Sequence, residues 1–186
     1  MTRGGAAPGP GLPAAGAAVR ILAMALPYRI AVLCYLFDER GRLLLLHRRR
    51  PPNQHLYSPI GGKLHMDEGE SPADCALREI REEAQLQLDY ADLHLTGLVS
   101  EKAFGDQTHW LMFLYEVTRP VSIERTEFEE GTLEWHQLDA VEQLQIPETD
   151  RRVIYPLFRR YRGRFFHVHI DCRDGACDWR LESPAP

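Results

Sequence analysis

Between Arg29 and Phe37 the chain carries an almost continuous run of aliphatic, β-branched and aromatic residues, followed by the turn-forming stretch Asp38 to Gly41 and a second apolar run through His47. Two such runs around a short polar turn predict a β-hairpin. Arg48-Arg49-Arg50-Pro51-Pro52 ends the second strand, because consecutive prolines remove ladder donors. Leu56 to Ile60 reads as a short extended stretch entering Gly61-Gly62. Further strands are expected at Leu93 to Val99, Trp110 to Val117 and Leu133 to Leu138, which have enough Leu, Val, Phe, Tyr or Trp for a buried face. Val153, Ile154, Leu157 and Phe158 then recur at helical spacing over Arg151 to Tyr161, with Pro156 set to kink or restart the helix. Phe165 to Cys172 and Cys177 to Leu181 form a closing hairpin. Strands flank helices without regular βαβ alternation, which predicts an α/β fold of the α+β type: a mixed β-sheet packed between helices.

A helix also begins at Pro72. Ser71 supplies an N-cap, Pro72 fits the first helical position, and Asp74 is an acid in the first turn. At 3.6 residues per turn, Ala73, Ala76, Leu77, Ile80 and Ala84 make the buried stripe, and Glu79, Glu82 and Glu83 lie beside it. Carboxylates at this spacing repel one another. Taken alone, a solvated helix face screened by Arg78 and Arg81 would explain them. Directly upstream, however, stands Gly61-Gly62-Lys63, whose glycines allow the backbone to aim carbonyl or amide groups at a ligand. A glycine turn facing a carboxylate helix suits a hard cation, Mg2+ or Mn2+, with oxygen ligands. Such an ion offsets phosphate charge and polarises phosphorus while a carboxylate activates water.

Composition narrows the picture. A chain of 186 residues with 44% hydrophobic and 26% charged content is expected to form one domain with its own core. The net charge of -5 disfavours extended nucleic acid as a partner but allows a small anion escorted by metal. No apolar stretch approaches the roughly 20 residues that span a bilayer. Residues 1–26, rich in Ala, Gly and Pro, read as a disordered leader without a targeting pattern, and 27–186 as the single domain. The expected location is cytoplasmic. Cys34 and Cys75 lie in apolar segments as reduced core thiols. Cys172 and Cys177 flank a turn containing Asp174-Gly175 that would set them opposite each other, a pair that a reducing compartment keeps as thiols.

Gly62, Glu70 and the run Arg78-Glu79-Ile80-Arg81-Glu82-Glu83-Ala84-Gln85-Leu86 resemble the signature of the Nudix hydrolases: Gly, five residues, Glu, seven residues, Arg-Glu, an aliphatic, any residue, Glu-Glu, any residue, Gly, aliphatic. Two positions depart from it. Glu70 keeps its distance to Arg78 but stands two residues too far from Gly62, which puts the insertion in the loop Leu64 to Glu68. Gln85 replaces the glycine that terminates the helix in a left-handed conformation, at a cost of about 1 kcal/mol unless the helix runs on.

The resemblance implies a Nudix sandwich that hydrolyses a diphosphate linkage in a small nucleotide, acting as a monomer or homodimer. It implies that Gly62, Glu79, Glu82 and Glu83 hold metal, that Glu82 stands closest to the reacting water, and that Arg78 orients a glutamate. An acid from a later loop, Glu129 or Glu130, is expected to join them. Lys63 and Arg48 are candidates for phosphate contact, Arg48 being as credible a surface charge. The region from Leu133 to Leu157 is similar to that of the branch acting on oxidised purine nucleoside triphosphates, where an acid at the position of Asp150 reads the base edge; Trp135 or Tyr28 would stack on the purine. A hydrolase of sugar nucleotides is the alternative. A noncatalytic nucleotide-binding module fits less well, since binding alone has no need of three helix acids.

Overall fold

The computed structural model describes residues 25–51 and 53–183, so nearly all of the expected leader, 1–26, lies outside the described residues. The strands are β1 (Tyr28–Tyr35), β2 (Arg42–Arg48), β3 (Tyr57–Ser58), β4 (Leu93–Phe104), β5 (Thr108–Val117), β6 (Glu127–Phe128), β7 (Gly131–Gln137), β8 (Phe166–Asp171) and β9 (Asp178–Leu181), with helices α1 (Pro72–Ala84) and α2 (Tyr155–Arg160). One sheet has the order β1-β5-β4-β8-β9 and the other β3-β2-β7-β6. The first is mixed, with β1 parallel to β5, β5 antiparallel to β4, and β4 parallel to β8.

Alternate side chains of β1 and β2 enter two cores. Tyr35, Leu43 and Leu45 pack with Val99, Leu114, Phe158 and Phe166 on the α2 side. Val32, Cys34, Leu44 and Leu46 pack with Ile60, Ala76 and Ile80 of α1 on the other. Leu43 to Leu46 are consequently all fully buried, as in a strand covered on both faces.

The expected hairpin over 29–47 is only a turn. Asp38 N–H donates to the Arg42 carbonyl at 3.0 Å and Leu44 N–H to the Leu36 carbonyl at 2.9 Å, after which the two strands part into different sheets. Both edges of β1 are taken elsewhere. One pairs in register with β5 from Tyr28↔His109 to Tyr35↔Glu116, and the other receives the glycine segment, with Val32 N–H donating to Gly62 O at 2.9 Å and Cys34 N–H to Ile60 O at 2.7 Å.

Ser71 caps α1 as expected, its Oγ accepting from Asp74 N–H at 3.1 Å. The helix stops at Ala84 rather than running on: Gln85 itself takes the left-handed conformation (φ 58, ψ 31) and its N–H reaches Arg81 O at 3.1 Å. Before Pro156 the chain forms a π-type turn over Asp150–Ile154, and α2 begins with the proline in its first turn. The wider turn accommodates a residue that has no N–H to donate. The β8–β9 hairpin forms as expected, and Cys172 and Cys177 are both buried free thiols. No helix among the described residues is long and apolar enough to cross a membrane.

Candidate functional site

A cleft of about 350 Å3 opens between the sheets, bounded by β1, the glycine segment, α1, β4, β5 and the π-type turn. At one end the two glycines press against their neighbours. Gly61 has φ +153, and a Cβ there would stand 2.1 Å from Val32 O. A Cβ at Gly62 would stand 2.1 Å from Glu79 Oε1. These positions lack side chains because β1 and the acids of α1 fill the space.

Gly61 N–H donates to Glu83 Oε2 at 3.2 Å, and Glu83 is only 5% exposed. Burial, followed by the charges of Glu79 and Glu130, pushes the Glu83 carboxyl up to about 8. Burial also raises Glu79, against the hydrogen bond from Arg78. Arg78 is shared. It grips Glu70 with Nε to Oε1 at 2.7 Å and Nη2 to Oε2 at 3.0 Å, donates from Nη1 to Glu79 at 2.7 Å, and reaches the Lys63 carbonyl at 3.2 Å. That clasp holds Glu70 down to about 2. Glu70 also accepts from His65 N–H at 2.9 Å, which closes the loop before α1.

Arg78 thus bonds Glu70 and Glu79 and stands 3.6 Å from Glu82, while Arg48 pairs with Glu130 at 3.6 Å and acts on Glu83. The surplus of carboxylate oxygens around a backbone cradle with no room for a Cβ fits a hard divalent cation. Among the described residues no three acidic, His or Cys groups are gathered into a finished cage. Glu82 stands 55% exposed and 3.6 Å from Arg78 Nη1, while Arg78 holds Glu79 Oε1.

Of the residues singled out in the sequence, Gly62, Lys63, Arg48, Glu79, Glu83 and Asp150 line the cleft. Glu82 and Arg78 stand beside it and are not part of its lining. The Gly62 carbonyl accepts from Val32 N–H at 2.9 Å and weakly from the Cys75 thiol at 3.9 Å. Glu130 joins the cleft, and Glu129 turns outward to Arg50 at 2.5 Å. Neither aromatic expected to stack lines the cleft. Tyr28 is 60% exposed with its ring 5.3 Å from His109, and Trp135 packs against the α1-side core. Trp110 and Phe104 line the cleft instead.

The far end holds a residue the sequence reading missed. Glu101, on β4, is 3% exposed and faces Asp150 across the cleft floor. Burial pushes it up to about 7 against the opposing effect of the Thr149 side chain, and burial plus the Glu101 charge pushes Asp150 up to about 8. Its signal was available: Val99, Glu101 and Ala103 share one face of β4, so Glu101 is an acid in the core-facing phase of a strand.

A family model described as the NUDIX domain matches residues 27–158. An uncharacterized Nudix hydrolase of Bacillus subtilis, YvcI, is 28% identical over 117 residues, spanning 61% of this chain and 69% of that protein. Among solved structures, the mutator MutT protein of Bacillus halodurans superposes with a TM-score of 0.67 at 23% identity, covering 84% of this chain and 99% of that one. The NUDIX domain of Shewanella oneidensis NrtR, complexed with ADP ribose, gives 0.58 at 16% identity, covering 73% of this chain and 88% of that one.

Proposed function

The chain belongs to the Nudix family, and from that premise we propose that it hydrolyses a purine nucleoside triphosphate, oxidised or not, to the monophosphate and pyrophosphate. Cleavage of a diphosphate linkage in a nucleotide is the family's common reaction, and a divalent metal is its general requirement. The observation that carries the finer reading is the single cleft joining Gly61, Gly62, Glu79, Glu83 and Glu130 at one end to Glu101 and Asp150 at the other. That layout suits a ligand with phosphates at the first end and a polar ring at the second.

In this reading Gly62, Glu79, Glu82 and Glu83 would hold Mg2+ or Mn2+. The bound ion would neutralise phosphate charge and polarise the phosphorus under attack. Arg78 fixes the rotamer of Glu79 through its clasp on Glu70. Glu82, at the solvent rim and tied only by a 3.6 Å ion pair, takes the proton of the entering water. Lys63 and Arg48 steer the phosphates, and Asp150 meets the base edge. The protein acts in the cytoplasm, as a monomer or homodimer. A sugar nucleotide is the second reading, favoured by the fold's likeness to the NrtR domain complexed with ADP ribose.

The test is incubation with Mg2+ and a panel of ordinary, oxidised and sugar-linked nucleotides, with products identified by mass. Monophosphate plus pyrophosphate supports the first reading. Monophosphate plus a sugar phosphate moves the assignment to the second. No cleavage of any nucleotide, with Glu82→Gln binding ligands as the parent does, sinks catalysis.

A further inference from the structure

The five-stranded sheet ends at β9, and among the described residues no strand pairs with the outer side of β9. At the opposite end of that sheet the glycine segment bonds to β1, so that edge is covered. The direction of the β9 backbone groups follows from the ladder. Glu182 N–H donates to His167 O at 2.7 Å, and Arg180 and Asp178 precede it at intervals of two in the same register, opposite His169 and Asp171. Alternate residues of an antiparallel strand turn their N–H and C=O the other way, so Trp179 and Leu181 present theirs to the open edge. Edge strands usually discourage pairing with prolines, bulges or inward charges. Here the edge carries Trp179, 47% exposed, between an exposed acid and an exposed arginine. Asp178 stands directly opposite Asp171 on β8, an unfavourable pairing of like charges. Arg173 and Lys102 take the carboxylate of Asp171, and among the described residues Asp178 is left without a cation.

We propose that β9 pairs with β9 of a second copy of this chain, antiparallel about a two-fold axis at Trp179, joining two five-stranded sheets into one. In that register Trp179 exchanges both backbone bonds with Trp179 of the second copy. Asp178 then faces Arg180 of the second copy, and Arg180 faces its Asp178. These pairs fall at the close, non-hydrogen-bonded positions of the ladder, where opposite charges meet best. Arg180 bonds Glu182 at 2.6 Å within its own chain, with 65% of its side chain exposed, and a surface pair of that kind contributes little and yields to a better-placed partner. Charge symmetry about Trp179 is what selects a second copy: a strand without the reversed order of charges would gain the backbone bonds alone. The contact lies outside the cleft and does not rest on the nucleotide reading.

Sedimentation equilibrium of the full chain over a concentration series tests this, and a reversible monomer–dimer equilibrium is expected. Because the two-fold axis enters each change twice, Asp178→Arg should weaken association at least about tenfold, and Arg180→Asp by the same amount. Both changes together restore the opposition of charge and should return the dissociation constant to within about threefold of the parent. Trp179→Ala should weaken association at least about tenfold. Circular dichroism checks that each variant is folded, and Trp179→Thr serves if the alanine variant is not. A parent that stays monomeric at every concentration overturns the proposal. So does a dimer that the single changes weaken by less than tenfold, or a double change that stays more than threefold from the parent. Cleavage of nucleotides is scored separately and bears only on the hydrolase reading.

Discussion

The two ends of the cleft are both acidic and burial raises carboxyls at each, yet their neighbours differ. At the glutamate helix, Arg78 holds Glu70 ionised and bonds Glu79, while the Gly61 amide and Arg48 oppose the burial that raises Glu83. At the Glu101–Asp150 floor, burial raises both groups, opposed at Glu101 by the Thr149 side chain. Identical functional groups thus stand among cationic and amide donors in one place and among apolar side chains in the other. The neighbours set the balance.

The strongest way to break this contrast is to remove charge where the metal is needed. Glu83→Gln or Glu79→Gln is expected to lower kcat on the order of 10³-fold with little change in KM, measured by steady-state kinetics at saturating Mg2+. A residual rate near that of the parent would show that the cation is held elsewhere. Next comes geometry: Gly62→Ala would place a methyl 2.1 Å from Glu79 Oε1 and push that carboxylate aside. A drop of about 10²-fold in kcat is expected, since displacements near 1 Å cost that much.

The pH dependence of stability separates Glu70 from Asp150, because the signs differ. Glu70 is held at about 2, so its contribution is complete above its ordinary value of 4.5 and is lost as pH falls from there toward 2. Asp150 is raised from 3.8 to about 8, so between those values the folded chain retains a proton the unfolded chain releases, and stability falls as pH rises. Asp150→Asn should therefore flatten the melting curve of the metal-free protein between pH 5 and pH 8 and raise Tm at pH 8 by about 2–4 °C. A variant that melts below the parent at pH 8 would contradict the assignment. The smallest expected effect lies at the end of α1: Gln85→Gly should stabilise by about 1 kcal/mol by removing left-handed strain, with kcat unchanged, as read by denaturant unfolding and kinetics.

The same contrast explains what the sequence revealed. The start of α1 was legible because Ser71 and Pro72 act locally, and the acids of α1 were legible because their spacing and the nearby glycines lie within one stretch of chain. The partner of β1 was not, because the choice between β2 and β5 depends on a strand some eighty residues away. The end of α1 was left open between a left-handed Gln85 and a longer helix, and the bond from Gln85 N–H to Arg81 O goes with the first. Glu101 was passed over because a single acid in a strand has meaning only once the opposing turn at Asp150 is in place. Tyr28 and Trp135 had the right chemistry for stacking, but their orientation is set by sheet register.

The parallel pairing of β1 with β5 has a kinetic consequence. Arg29 must find Trp110, and α1 with its acids lies on the chain between them. Loop closure of that span is entropically expensive, and contacts so remote in sequence form slowly. The capped helix can form by itself, but the cleft closes only after β5 has docked. A nascent chain cut short before Trp110 would carry every acid of the glutamate helix and still lack the opposite wall against which a ring could lie.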